Sequence, residues 1–202
     1  MNIVDVYKTL DRPSDESLFK EKSSKFFGYA FPVTTEEEVK DIILGIKKNH
    51  HSARHWCYAW RLGVDPGRFR VNDDGEPANS AGQPIYGQIL SADVTNVLIV
   101  VVRYFGGVKL GIGGLIRAYK SSAQLTLEKA SIIEKTIEEK LELSFEYQFM
   151  NKVMRIIKQK KLTIFSQEMT LKCSIVLTIK KSQIDSVENL FESLHFVGLK
   201  RV

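Results

Sequence analysis

Cysteine is scarce: Cys57 and Cys173 are the only two, far apart and with no Cys-x-x-Cys pair. That excludes a disulfide framework and a four-cysteine zinc site, and it fits a reducing, cytoplasmic compartment. Long apolar runs are missing as well. The longest, Val97 to Val102, is far too short to cross a membrane. The chain start carries acidic residues and no apolar run, so neither a signal peptide nor a membrane partner is expected. Internal repeats and low-complexity segments are absent. Charge of one sign does not dominate: the net charge is +5, shared between the two parts of the chain, so neither part is a dedicated basic module. A mild positive balance favours contact with nucleic acid or acidic surfaces. What is present is ordinary for globular chains, with 44% hydrophobic and 26% charged residues, enough to build cores.

The length suits two small domains. Ser17 to Lys22 and Ser24 to Val33 read as strands. Thr35 stands three residues before Glu38, a capping-box signature. Val39, Ile42, Ile43 and Ile46 follow at helical spacing, up to Asn49. Arg54 to Leu62 reads as a strand and Gly63 to Gly82 as a long loop, a length more often functional than not. Pro84 suits the first turn of a helix that turns Ile85, Ile89 and Leu90 inward. Asn96 to Arg103 lacks alternation, which predicts a strand buried on both faces. A helix is expected from about Gly114 to Lys129, with Leu115, Tyr119, Ala123 and Leu127 near one face.

The pattern changes near Ala130, which sets the expected domains at 1–130 and 131–202. In the second, strand Thr136 to Tyr147 leads to a helix with Val153, Ile156 and Ile157 inward. Strands Leu162 to Met169 and Leu171 to Ile179 follow. A helix after Ser182 then turns Ile184, Val187, Phe191 and Leu194 inward, and Phe196 to Val202 closes as a strand. The order β-α-β-β-α-β is the ferredoxin-like arrangement. The fold class is therefore α+β.

Three constellations carry chemistry. The strongest runs from Arg103 to Tyr119, where a buried strand delivers the chain to a loop holding Gly106, Gly107, Gly111, Gly113 and Gly114. Glycines let backbone N–H groups converge on an anion, and a helix N-terminus adds its dipole. Arg103, Lys109 and Arg117 supply charge, so this is a candidate cradle for a phosphate or a nucleic-acid backbone. It matches neither a Walker A loop nor a Rossmann fingerprint, and tight helix–strand packing alone would also use these glycines. The second is Asn72-Asp73-Asp74-Gly75-Glu76-Pro77. Asp73, Asp74 and Glu76 are candidates to hold a divalent cation or serve as general acid or base; an Asp-Gly turn is the simpler reading. The third, His51, His55 and Cys57, offers His55 as a further catalytic candidate, with core packing of Cys57 the simpler reading. No metal site is assigned. Lys158, Lys160 and Lys161 close a helix, where lysines usually sit solvated.

The run Arg103-Tyr104-Phe105-Gly106-Gly107-Val108-Lys109-Leu110-Gly111-Ile112-Gly113-Gly114-Leu115-Ile116-Arg117-Ala118-Tyr119 resembles the signature of the YigZ/IMPACT family. Lys25-Phe26, the strand His55-Trp56-Cys57-Tyr58-Ala59, the run Asp73 to Pro77, and Ala81-Gly82-Gln83-Pro84-Ile85 resemble its other motifs, in order. One departure stands out. Asn79-Ser80 replaces a Gly-Thr pair, and asparagine tolerates the left-handed conformation such a turn needs. The resemblance implies an N-terminal domain like the second domain of ribosomal protein S-five. It also implies a ferredoxin-like C-terminal domain similar to the last domain of elongation factor G. Eukaryotic IMPACT proteins are translational regulators that associate with ribosomes and other partners. A translation-associated binding protein, with the ribosome, RNA or protein partners of translation as its contacts and no cofactor, is therefore expected ahead of an enzyme. The alternative is a phosphate- or nucleotide-binding enzyme using the acidic loop with a divalent metal. A purely structural role for all the motifs is the third reading.

Overall fold

The computed structural model describes residues 5–64 and 68–202; Met1 to Val4, and Asp65 to Gly67 inside the stretch expected as a loop, lie outside the described residues. The chain divides into two compact units, Tyr7–Lys135 and Thr136–Val202, and the second also takes Asp5 and Val6 at the chain start.

In the N-terminal unit everything is arranged around Val97–Tyr104, β6, whose six leading aliphatic residues are completely buried. It is the middle strand of a five-stranded antiparallel sheet, flanked by β3 (Ser24–Pro32) and β4 (His55–Arg61), with β2 (Ser17–Glu21) and β5 (Phe69–Asn72) at the edges. Alternation along β6 feeds two cores. Val97, Ile99 and Val101 pack with α2 (Gly82–Ser91) and α3 (Gly111–Glu128). Leu98, Val100 and Val102 pack with Val39 and Ile46 of α1 (Glu36–Asn49). The unbroken apolar run is thus buried on both faces. Each aliphatic side chain contributes roughly 1.5–3 kcal/mol of gross burial, so β6 alone matches the net stability of a typical domain. The capping box of α1 forms: the Glu38 N–H donates to Thr35 Oγ1 at 3.2 Å, and Thr35 N–H to Glu38 Oε2 at 3.4 Å.

Four expectations for this part of the chain need correction. The loop after β4 contains β5, a four-residue edge strand too short and polar to read as one. Helix α3 begins at Gly111, three residues earlier than its glycines suggest, because glycine is merely costly in a helix, not forbidden. Leu90 is 48% exposed, not turned inward. The domain division falls after Lys135 rather than at residue 130, because β7 (Ile132–Thr136) pairs with β1 (Val6–Leu10).

The C-terminal unit runs β8 (Glu138–Glu146), α4 (Met150–Gln159), β9 (Thr163–Glu168), β10 (Lys172–Lys180), α5 (Ile184–Glu192), β11 (Gly198–Arg201). Its sheet order, β11-β8-β10-β9 with antiparallel pairs throughout, is ferredoxin-like. The single strand expected over 136–147 is interrupted at Ile137, so β7 and β8 are separate. Leu141, Leu143, Phe145, Cys173, Ile175, Leu177 and Ile179 pack against Val153 and Ile157 of α4 and Ile184, Val187 and Phe191 of α5. The chain start joins this unit through Asp5: its carbonyl accepts the Ile137 N–H at 2.6 Å and its carboxylate the Ser182 N–H at 2.7 Å.

Candidate functional site

The acidic turn is tied down by its own backbone. Asp73 Oδ1 accepts N–H bonds from Ala81 at 2.9 Å and Gly82 at 2.8 Å, and Oδ2 accepts from Asn79 at 2.8 Å. It therefore caps α2 from a distance, replacing the side-chain cap that Ala81 cannot supply. Asn79 adopts φ +62, the left-handed conformation expected of it. Asp74 Oδ2 accepts the Trp56 N–H at 2.8 Å, while Lys47 Nζ lies 3.4 Å from Oδ1. His55 Nδ1 sits 2.9 Å from the Asp74 carbonyl and donates to it.

Glu76 differs from its neighbours in facing the core. Its Oε1 accepts from Arg103 Nη1 at 2.7 Å and from the Tyr119 hydroxyl at 2.8 Å. Both side chains of the ion pair are almost fully buried. The Cys57 sulfur lies 3.2 Å from Tyr119 Oη and 3.0 Å from the Asp73 carbonyl. Burial pushes the Cys57 thiol well above its ordinary range, and the Tyr119 phenol with it. Both stay protonated at neutral pH, and Cys57 is a core residue rather than a nucleophile. Arg103 packs 5.6 Å from the ring centres of both Phe26 and Phe105.

The glycine-rich turn is built differently. Gly106 is there for contact: an added Cβ would lie 2.0 Å from the Ser23 carbonyl carbon. The Gly106 N–H reaches Ser24 Oγ at 3.2 Å, which also takes Arg103 Nη2 at 3.4 Å. Gly107 and Gly111 have positive φ, +87 and +69, with open space around them. Gly114 is buried, its would-be Cβ 3.1 Å from Leu110, while Gly113 is exposed beside Arg117. Among the described residues no side chain caps α3, which leaves its first-turn N–H groups without a side-chain acceptor. Lys109 and Arg117 are exposed, as are Phe105, Val108 and Ile112. Arg103, by contrast, is 5% exposed and its charge is held by Glu76.

The two turns meet in one cavity of about 310 Å³, lined among others by Glu76, Arg103, Phe105, Lys109, Gly111 and Leu115. Asp73, Asp74 and His55 are not part of its lining. Sequence reasoning missed Ser24 and Tyr119 as partners of this site; Tyr119 closes the glycine-rich run and was read only as a packing residue. Lys158, Lys160 and Lys161 are exposed at the end of α4. A larger depression of about 690 Å³ lies in the C-terminal unit around Tyr147, Leu171 and Phe196.

The family model described as "Impact N-terminal domain" matches residues 22–127, which hold both turns. IMPACT family member YvyE of Bacillus subtilis is 35% identical over 147 residues, covering 73% of this chain and 67% of that protein. An IMPACT family member of Haemophilus influenzae is 31% identical over 181 residues, 86% of each chain. A crystal structure described as that of a hypothetical protein aligns over 99% of this chain and 98% of its own at TM-score 0.74. At 24% identity that likeness concerns the fold alone. The family model over residues 22–127 and these relatives lead to one assignment: the chain belongs to the IMPACT family.

Proposed function

We propose that this protein is a translation-associated regulatory binding protein whose glycine-rich turn contacts RNA phosphates or the ribosome. Family membership supports the link to translation, since the resemblance implies a family that includes translational regulators. One observation carries the choice of surface. The N-terminus of α3 is uncapped and flanked by exposed Lys109 and Arg117, while that of α2 is already capped by Asp73. An uncapped helix N-terminus with positive φ glycines presents N–H donors and a partial positive charge to a phosphate. Exposed Phe105, Val108 and Ile112 add apolar contact area of the kind ribosomal or other protein partners would cover. Among the described residues no helix is long and apolar enough to cross a membrane; a cytoplasmic location belongs to this reading.

Co-sedimentation of the purified protein with ribosomes across a salt series tests it. Binding should weaken steeply as salt rises. The Lys109→Glu/Arg117→Glu variant should pellet far less at every salt concentration, with a log–log salt slope shallower by about 2. Absence of binding at low salt, or equal binding by the variant, would overturn the reading.

A second reading keeps one specific observation on its side. Glu76 and Arg103 line a cavity shared with the glycine-rich turn, and Arg103 Nε is buried without a partner among the described residues. A phosphate-bearing small molecule there, with a divalent metal, is what the reading as an enzyme requires. Asp73 and Asp74 are engaged by backbone N–H groups and do not line the cavity, so Glu76, already held by Arg103 and Tyr119, is the one acidic-turn carboxylate that borders it. Saturable, Mg²⁺-dependent binding of a nucleotide that Glu76→Gln abolishes would favour this reading over the first.

A further inference from the structure

The last two residues of β6 send their side chains to opposite faces of the sheet. Arg103 points to the α2/α3 side and Tyr104 to the α1 side, where Lys25 is its direct cross-strand partner. Phe105 follows and lines a cavity on each side. The one on the α1 side holds about 320 Å³ and is lined by Ser23, Lys25, Phe27, His50, Tyr104 and Phe105. None of these six is acidic, and four are aromatic.

The aromatic wall is held by a chain of hydrogen bonds whose directions follow from an ionised Glu16 and a neutral His50. The Tyr29 hydroxyl donates to the Glu16 carboxylate at 2.5 Å. Its oxygen therefore accepts from His50 Nε2–H at 2.6 Å. That leaves His50 Nδ1 to accept the Tyr104 hydroxyl at 3.0 Å. Phe27 meets the Tyr104 ring edge-on at 5.6 Å, and the His50 ring lies 5.6 Å from Phe27 and 5.9 Å from Tyr104. These rings are only part-buried, and Phe105 beside them is 48% exposed. A wall with fixed geometry and satisfied polar atoms, left open to solvent, is pre-formed for a ligand.

We infer that this cavity holds one unstacked nucleobase of a single strand whose phosphates run over the adjacent glycine-rich turn. The inference rests on the proposed RNA contact and names the part of the RNA it takes. A flat ring stacks against Phe105 and Tyr104 of the lining, and Lys25 of the same lining supplies a cation for the neighbouring phosphate. The same lysine disfavours the cationic ligands that aromatic cages otherwise select. Since both His50 nitrogens are engaged, recognition is by stacking and tolerates any base.

The test compares a labelled oligouridine strand with an abasic strand of the same length, by fluorescence anisotropy with the full chain at one salt concentration. The wild type should prefer the uridine strand by about tenfold. Tyr104→Leu should abolish the preference while leaving affinity for the abasic strand unchanged, and Tyr104→Phe should retain most of it. Phe105→Leu, at a half-exposed position, should also lose the preference, and an unchanged thermal melt of that variant guards against misfolding as the cause. Equal wild-type affinity for the two strands overturns this inference and leaves the phosphate contact standing. Binding of neither strand overturns this inference and the RNA-phosphate contact together, and leaves only a protein surface of the ribosome to the proposed reading. Displacement of the strand by uridine monophosphate at the same nucleotide concentration overturns the assignment to a strand and gives the cavity to free nucleotides.

Discussion

The turns that open α2 and α3 look alike as letters and behave as opposites. Both are rich in special residues, both enter a helix on the same face of the sheet, and both border one cavity. In the acidic turn the carboxylates are consumed by the chain itself: Asp73 by three backbone N–H groups, Asp74 by Trp56, Glu76 by Arg103 and Tyr119. In the glycine-rich turn Lys109 and Arg117 are exposed and, among the described residues, no side chain caps α3. A density of charged residues is therefore a poor guide to a site until the partner of each lone pair and each N–H is known.

If that contrast is right, the largest loss of stability follows from breaking the acidic side. Glu76→Ala leaves the Arg103 guanidinium buried without its counter-charge and should cost about 3–5 kcal/mol in urea unfolding. Asp73→Ala frees three N–H groups and uncaps α2, for a loss of about 2–3 kcal/mol by the same measurement. On the glycine side the effects are smaller and separable. Gly106→Ala drives a methyl into the Ser23 backbone and should cost about 1–3 kcal/mol. Gly107→Ala, in open space at positive φ, should cost only about 1 kcal/mol.

Outside both turns, His50 supplies a pH-dependent control. Burial holds it below the ordinary histidine value, which is about 6.5. The unfolded chain then binds its proton first, so stability is present above that value and declines as the pH falls through it toward the depressed native value. Thermal melts from neutral to mildly acid pH should show this decline, and His50→Gln should flatten it. The smallest effect on stability is the one that matters for function: Lys109→Glu/Arg117→Glu should change unfolding by no more than about 0.5 kcal/mol while sharply weakening binding.

What could be read from the letters follows the same physics. The burial of β6 on both faces was legible because six consecutive aliphatic residues leave no polar face. The capping box at Thr35 and Glu38 was legible because both partners are local. The ferredoxin-like order emerged from hydrophobic spacing alone. Strand β5 was hidden because Phe69–Asn72 is short and earns its place only by pairing with β4. The special character of the Arg103–Tyr119 run was evident, but not that Arg103 is buried while Lys109 is free. That distinction depends on which face of β6 each side chain takes and on Glu76 arriving from another turn. Likewise Asp73 reads as a possible ligand until the N–H groups of Asn79, Ala81 and Gly82 fold around it.

Hydrogen–deuterium exchange of the full chain, alone and with ribosomes at low salt, tests the contrast most directly. The contrast predicts that amides of Asn79, Ala81 and Gly82 exchange slowly in both states, while those of Gly107 to Gly113 exchange fast alone and slowly when ribosomes are added. Unchanged exchange at the glycine-rich turn in a sample where the protein pellets with ribosomes would contradict it, and would place the contact elsewhere on the molecule.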